Sequence, residues 1–208
     1  MEYLVTMTTH IPEGTTPESV DDVRAREATR SRELAAEGHL VRLWRPPLQP
    51  GEWRTLGVFA ADDEVELEKV LSSMPLRIWR TDEVTQLSPH RNDPAPPRST
   101  SNSGAATGAD FLTEFVTTVP GGVDARTVES TEVQEAQSAR EFAEKGHLVR
   151  LWTLPGASRA LGLWRVKDGA ELDEILRSLP LYPWMRIVTT PLTEHPNDPA
   201  LTEVVDRW

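Results

Sequence analysis

Two glutamates stand where a soluble helix normally places apolar residues. Val20, Val23, Glu27, Ser31 and Leu34 follow the spacing of one helical face, and Val128, Glu135, Ala139 and Phe142 repeat the pattern. A carboxyl on the face that must be covered loses water, which raises its pKa toward values useful for proton transfer. Glu27 and Glu135 are therefore candidate general acid/bases in a cleft. The structural alternative is a carboxylate held by a nearby arginine such as Arg42 or Arg150, and helical spacing alone does not separate the two readings.

A second set of candidates lies in one heptapeptide. Gly38-His39-Leu40-Val41-Arg42-Leu43-Trp44 recurs unchanged as Gly146 to Trp152. On an alternating strand His39, Val41 and Leu43 share one face, and Leu40, Arg42 and Trp44 the other. An arginine fork with an aromatic wall can hold a small carboxylate ligand, which makes Arg42 with Trp44 and Arg150 with Trp152 candidate substrate-binding pairs. The alternative is an ion pair to the acidic helix with tryptophan as core. His39 and His147 are either ligand contacts or hydrogen-bonded core histidines. His90 and His195 stand in Pro-His-Arg-Asn-Asp-Pro and Glu-His-Pro-Asn-Asp-Pro, where turn chemistry is expected, with reach into the other copy as a further option. There is no Gly-rich phosphate loop, nucleophile elbow or His-Glu-x-x-His helix, so no motif calls for a nucleotide, a metal or any other cofactor.

The heptapeptide is the centre of an internal repeat, offset by 108 residues upstream and by 105 downstream, where Met74-Pro75-Leu76 meets Leu179-Pro180-Leu181. Each copy reads as strand 2–9, a helix from about Pro17 to Glu37 that opens after Thr16 and stops at Gly38, strand 39–44, strand 54–60, a helix over 63–73 and a last strand over 77–87. The order β-α-β-β-α-β is ferredoxin-like, with two helices on one face of a four-stranded antiparallel sheet. The expected division is a first unit over 1–91, a Pro then Ser/Gly/Ala linker over 92–109, a second unit over 110–199 and a tail over 200–208. The open face of each sheet needs a cover, so the two units are expected to pack sheet to sheet as an internal pseudo-dimer.

Composition narrows the partners. With 22 Lys+Arg against 33 Asp+Glu the net charge is −11, which disfavours nucleic acid and anionic membrane surfaces. Cysteine is absent, so disulfides, thiolate ligands and a cysteine nucleophile are excluded. The first residues run straight into a strand pattern and no apolar stretch approaches a membrane span, so a cytoplasmic protein is expected. The expected partners are a small-molecule substrate and the protein's own second repeat.

Each copy resembles muconolactone Δ-isomerase, an enzyme of aromatic-ring degradation. The similar stretches are Met7-Thr8, Arg26-Glu27 with Glu33-Leu34, Glu37-Gly38 through Arg42-Leu43-Trp44-Arg45, Met74-Pro75-Leu76 and His90, and then Glu135, Gly146 to Trp152, Leu179 to Pro183 and His195-Pro196. The resemblance implies a fold of the dimeric α/β barrel type, sheet-mediated self-association that extends to further chains, and cofactor-independent isomerisation of a carboxylated lactone. Glu27 and Glu135 would be the proton carriers, with Arg42 or Arg150 nearby. Thr6 and Glu114 stand where the family tends to have lysine, and Thr55 and Ala160 where it tends to have asparagine. Two other readings remain, a biosynthetic cyclase or cofactor-free oxygenase of the same fold type, and a non-catalytic small-molecule binder. The copies also differ from each other, since Arg26, Arg30 and Arg77 become Gln134, Ser138 and Tyr182, so their two sites need not be equivalent.

Overall fold

The computed structural model describes residues 1–95 and 108–202. Its first half runs β1 (Glu2–Thr9), α1 (Pro17–Ala36), β2 (Leu40–Arg45), β3 (Arg54–Ala60), α2 (Glu64–Ser72) and β4 (Arg80–Pro89). The second half repeats the order as β5 (Ala109–Thr117), α3 (Ala125–Glu144), β6 (Leu148–Thr153), β7 (Arg159–Val166), α4 (Gly169–Ser178) and β8 (Met185–Glu194), followed by a short α5 (Pro199–Thr202). Helix α1 starts as its sequence directs, with the Thr16 hydroxyl accepting from the Ser19 amide and proline in the first turn. Both long helices stop at glycines in the left-handed region, Gly38 at φ +78° and Gly146 at φ +77°.

The described residues form two α+β units. One comprises 1–87 with 193–202, the other 88–95 with 108–192. Compact units and sequence repeats therefore differ, because the last residues of each repeat belong to the unit built by the other. Residues 92–95, expected as linker, are part of the second unit; 96–107 and 203–208 lie outside the described residues.

In the first unit the antiparallel order is β4-β1-β3-β2, and residues 193–194 pair along the remaining edge of β2, with Trp44 opposite Glu194. The second unit has the order β8-β5-β7-β6, and Ser88 and Pro89 pair with β6. The helices cover one face of each sheet. In the first unit Leu34, Leu67, Val70 and Leu71 of the helices pack on Tyr3, Val5, Met7, Leu40, Leu43 and Phe59 of the strands.

Two local expectations are corrected. Simple alternation along β2 puts Leu40 and Leu43 on opposite faces, yet both lie in the helix-side core. The pairing register shifts between Leu40 and Arg42, and again between Leu148 and Arg150, so one extra residue in each strand resets the alternation. The last strand of the first repeat begins at Arg80 rather than at 77, because Pro75–Trp79 form a 3-10 turn with proline at its start.

Gly57 and Gly162, at equivalent points of β3 and β7, leave room for aromatic side chains to lie over the sheet. A Cβ on Gly57 would come within 2.6 Å of Phe59 Cε2 and 3.1 Å of Met7 Cε, and one on Gly162 within 2.6 Å of Trp164 Nε1 and 2.9 Å of Thr113 Oγ1. Since these neighbours are buried, each glycine to alanine change is expected to lose about 1–3 kcal/mol of stability. Urea unfolding of G57A and G162A checks this; wild-type midpoints in both would contradict the packing account.

Candidate active site

Helix α1 buries Val23, Glu27, Ser31 and Leu34, so the Glu27 carboxyl does face the protein interior. Its Oε2 accepts from the Leu76 amide at 2.8 Å, an N–H that the 3-10 turn aims at the helix. Oε1 lies 3.3 Å from Arg80 Nη1. Arg80 gives its shorter contacts to Asp82, with Nε to Oδ1 at 2.6 Å and Nη2 to Oδ2 at 3.1 Å, and Asp82 takes Arg77 as well. The Arg80 charge is thus shared, and Glu27 receives one long contact from it. Burial pushes the Glu27 carboxyl above its ordinary range; the Leu76 amide and Arg80 oppose the shift, and Asp82 adds to it.

Glu27 and Arg80 line a cavity of about 210 Å³ with Met7, Thr9, Ser31, Leu43, Thr55, Met74 and Leu76 around it. Arg24, Arg45 and Trp53 also line it, and both arginines are exposed. The Arg24 guanidinium lies 4.9 Å from the centre of the Trp53 ring, a cation–π contact that leaves its hydrogen bonds to solvent or ligand. Among the described residues neither Arg24 nor Arg45 is paired with a carboxylate.

The remaining wall is His195, Pro196 and Asn197, carried into this unit by the end of the chain. What holds that segment is a buried ion pair. Arg42 Nε reaches both Asp198 oxygens at 3.2 and 3.1 Å, Nη2 lies 3.1 Å from Oδ2, and the Leu43 amide donates to Oδ1 at 3.1 Å. The side chains are 5% and 1% exposed, too dry for either charge to stand alone. The Arg42 guanidinium also covers the Trp44 ring at 4.5 Å. The turn is tightened by the Asp198 amide donating to His195 O at 2.9 Å and the Asn197 amide donating to His195 Nδ1 at 3.2 Å. An accepting Nδ1 belongs to a neutral imidazole. Burial, aided by Arg45, lowers the His195 pKa to about 4.

The second unit repeats the clasp. Arg150 holds Asp93 at 3.1 Å, with the Leu151 amide 3.0 Å from the same carboxylate and Arg150 4.6 Å from the Trp152 ring centre. Glu135 Oε2 accepts from the Leu181 amide at 3.0 Å and lines a separate cavity of about 100 Å³.

Several candidates therefore sit elsewhere than expected. Glu27 pairs with Arg80 and not Arg42. Arg42 and Trp44 lie outside the Glu27 cavity, and Arg150 and Trp152 outside the Glu135 cavity, because each arginine is engaged by the aspartate of a returning tail. His39 is likewise outside, with Nδ1 2.9 Å from Ala60 O, and His147 stacks on Phe142 at 6.4 Å. Sequence reasoning missed Arg24, Arg80 and Trp53. Arg24 was findable, since it lies one turn before Glu27 on the same helix side.

A largely desolvated carboxyl and two arginines without carboxylate partners among the described residues thus line one small cavity of a ferredoxin-like unit. The chain belongs to the muconolactone delta-isomerase family, whose model matches residues 1–93 and 110–198. It is 32% identical over 90 residues to the muconolactone Delta-isomerase of Cupriavidus pinatubonensis, which spans 43% of this chain and 95% of that protein. With that of Rhodococcus opacus it shares 31% over 80 residues, 38% of this chain and 86% of the relative. One repeat therefore corresponds to almost a whole relative. Over its full length the fold is shared with a chlorite dismutase mutant from Candidatus Nitrospira defluvii (12% identity, TM-score 0.63, 97% of this chain and 94% of that one) and a heme-binding protein from Thermus thermophilus (13%, 0.59, 99% and 96%). At these identities the likeness is one of fold.

Replacing Asp198 by asparagine leaves Arg42 buried without its counter-charge and is expected to destabilise the protein by about 3–5 kcal/mol. Because the folded His195 pKa is depressed, its contribution to stability is present above the unfolded value near 6.5 and is lost as pH falls toward about 4. In D198N the released tail should let His195 titrate near its ordinary value. A proton NMR titration in which His195 keeps its low pKa in D198N would contradict the role of the clasp.

Proposed function

We propose that the first unit moves a proton within a small carboxylated lactone of the muconolactone kind, with Glu27 as the proton carrier. The observation that carries this reading is the convergence on one cavity of a desolvated carboxyl with Arg24 and Arg45, two cations without carboxylate partners among the described residues. Family membership supports the reaction class.

In the ionised form Glu27 takes a proton from a carbon that is acidified by the lactone carbonyl. The C–H bond breaks, its electron pair spreads into the conjugated enolate, and the carboxyl returns the proton to another carbon of that system, so the double bond moves and no electrons are gained or lost. Arg24 and Arg45 take the carboxylate that Arg42, being tied to Asp198, does not. The Leu76 amide fixes the orientation of the Glu27 carboxyl. Arg80 keeps the ionised state accessible despite burial, and Asp82 stops it from holding Glu27 as an inert salt bridge. Thr9 and Thr55 supply hydroxyls within reach of an oxygenated ring where a family asparagine is missing.

Muconolactone incubated with the protein in D2O should isomerise with deuterium entering beside the carbonyl. E27Q is expected to lose about 100- to 10,000-fold in kcat, while E135Q stays near wild type. The base is the ionised form and its pKa is raised, so kcat/KM should rise with pH through an inflection above the ordinary glutamate value of about 4.3. Full turnover in E27Q would end the assignment.

A further inference from the structure

The second cavity keeps the glutamate and has exchanged its surroundings. Where Arg24, Ser31, Arg45 and Thr55 stand in the first repeat, the second has Glu132, Ala139, Thr153 and Ala160. Arg80 and Asp82 have become Met185 and Ile187, and Arg77 has become Tyr182. The charge network behind Glu27 is therefore gone, and Glu135 retains its hydrogen bond from the Leu181 amide, at 3.0 Å.

Most of that wall is apolar, formed chiefly by Phe115, Leu151, Trp164, Leu179 and Met185, with Asn92 and Thr117 as its uncharged polar side chains. The Trp164 indole N–H is already given to Thr113 Oγ1 at 2.8 Å, so its ring and not its donor is offered to the cavity. Two groups at this site carry or could carry positive charge. Arg91 is matched by Glu132 at 3.0 Å. His90 accepts from the Asn92 amide at Nδ1, and burial lowers its pKa, so it is neutral at neutral pH. An anionic ligand entering here would lose water and meet a carboxyl without an uncompensated cation in return.

We infer that the second cavity is a binding site for a small uncharged ring compound, such as a lactone without a carboxylate, which it holds by apolar contact and by a hydrogen bond from Glu135. Burial raises the Glu135 pKa with no arginine to oppose it, which favours the protonated carboxyl that can donate to a carbonyl oxygen. The two repeats thus divide ligands by charge: anionic at Glu27, neutral at Glu135. The smaller volume, about 100 Å³ against about 210 Å³, fits a ligand without a side arm. The anionic half of this division rests on the proposed function of the first unit, the neutral half on the second cavity alone.

Methionine placement supplies the test. The chain has 4 methionines; Met7 and Met74 line the first cavity and Met185 the second. With the methyl groups carbon-13 labelled, the full-length protein is titrated with α-angelica lactone, a neutral five-membered lactone, and separately with muconolactone. The neutral lactone should shift Met185 saturably and at least about tenfold more tightly than muconolactone does. E135L, which removes the donor, should weaken that shift by roughly threefold to tenfold, the loss of one hydrogen bond, whereas E135Q, whose amide still donates, should keep it. An unmoved Met185 up to millimolar neutral lactone, or a Met185 that prefers muconolactone, overturns the inference. Met7 and Met74 unmoved by muconolactone would instead fault the reading of the first unit and the anionic half with it, while the Met185 response still decides the neutral half.

Discussion

A guanidinium taken out of water must find a carboxylate, and in this protein the carboxylate comes from about 150 residues away in one direction and about 60 in the other. Arg42 and Arg150 lie on the second strand of each repeat, in the identical heptapeptide. Their partners, Asp198 and Asp93, lie in the Asn-Asp-Pro turns that close the opposite repeat. Each pair is buried, bidentate or nearly so, and reinforced by a backbone amide. Neither unit is complete without the segment its arginine captures, and each captured segment carries a histidine onto the wall of a cavity. The ion pair that the sequence offered as a ligand contact instead places part of each cavity wall.

The carboxyl that faces each cavity is constant, and its environment is not. Glu27 is held between desolvation, which raises its pKa, and Arg80, which lowers it, with Asp82 restraining the arginine. Glu135 has the desolvation and a single amide. Duplication gives two copies of a shell with the same helix, turn and backbone donor. A few substitutions on the strand after the 3-10 turn then remove the charged groups behind that carboxyl. Arg80 to Met185 and Asp82 to Ile187 act together, since an aspartate left without its arginine would be a buried, unmatched charge.

The sheet geometry sets which residues can reach those cavities. The extra residue in β2 and β6 returns Leu40 and Leu43, and Leu148 and Leu151, to the helix-side core. It sends Arg42 and Arg150 away from the glutamates. Gly57 and Gly162 then let Phe59 and Trp164 lie across the sheet, and Trp164 lines the second cavity. Where Met7 lines the first cavity, Phe115 lines the second, and Trp164 adds its ring to that wall.

Much of this was determined by local sequence. The repeat, the element order, the caps at Thr16 and Gly38 and the inward face bearing Glu27 follow from spacing, because helical periodicity and glycine conformation act over a few residues. The turn at each His-x-Asn-Asp-Pro segment was legible for the same reason. What the sequence could not determine was partnership. A helix pattern says that Glu27 is covered, but Arg80 meets it only because a 3-10 turn delays the last strand, and Arg42 misses it because one strand residue bulges. The pairing of Arg42 with Asp198 joins positions far apart in the chain, and only the tertiary structure brings such charges together. Burial makes their match compulsory, and the path of the backbone decides which charges are close enough to make it.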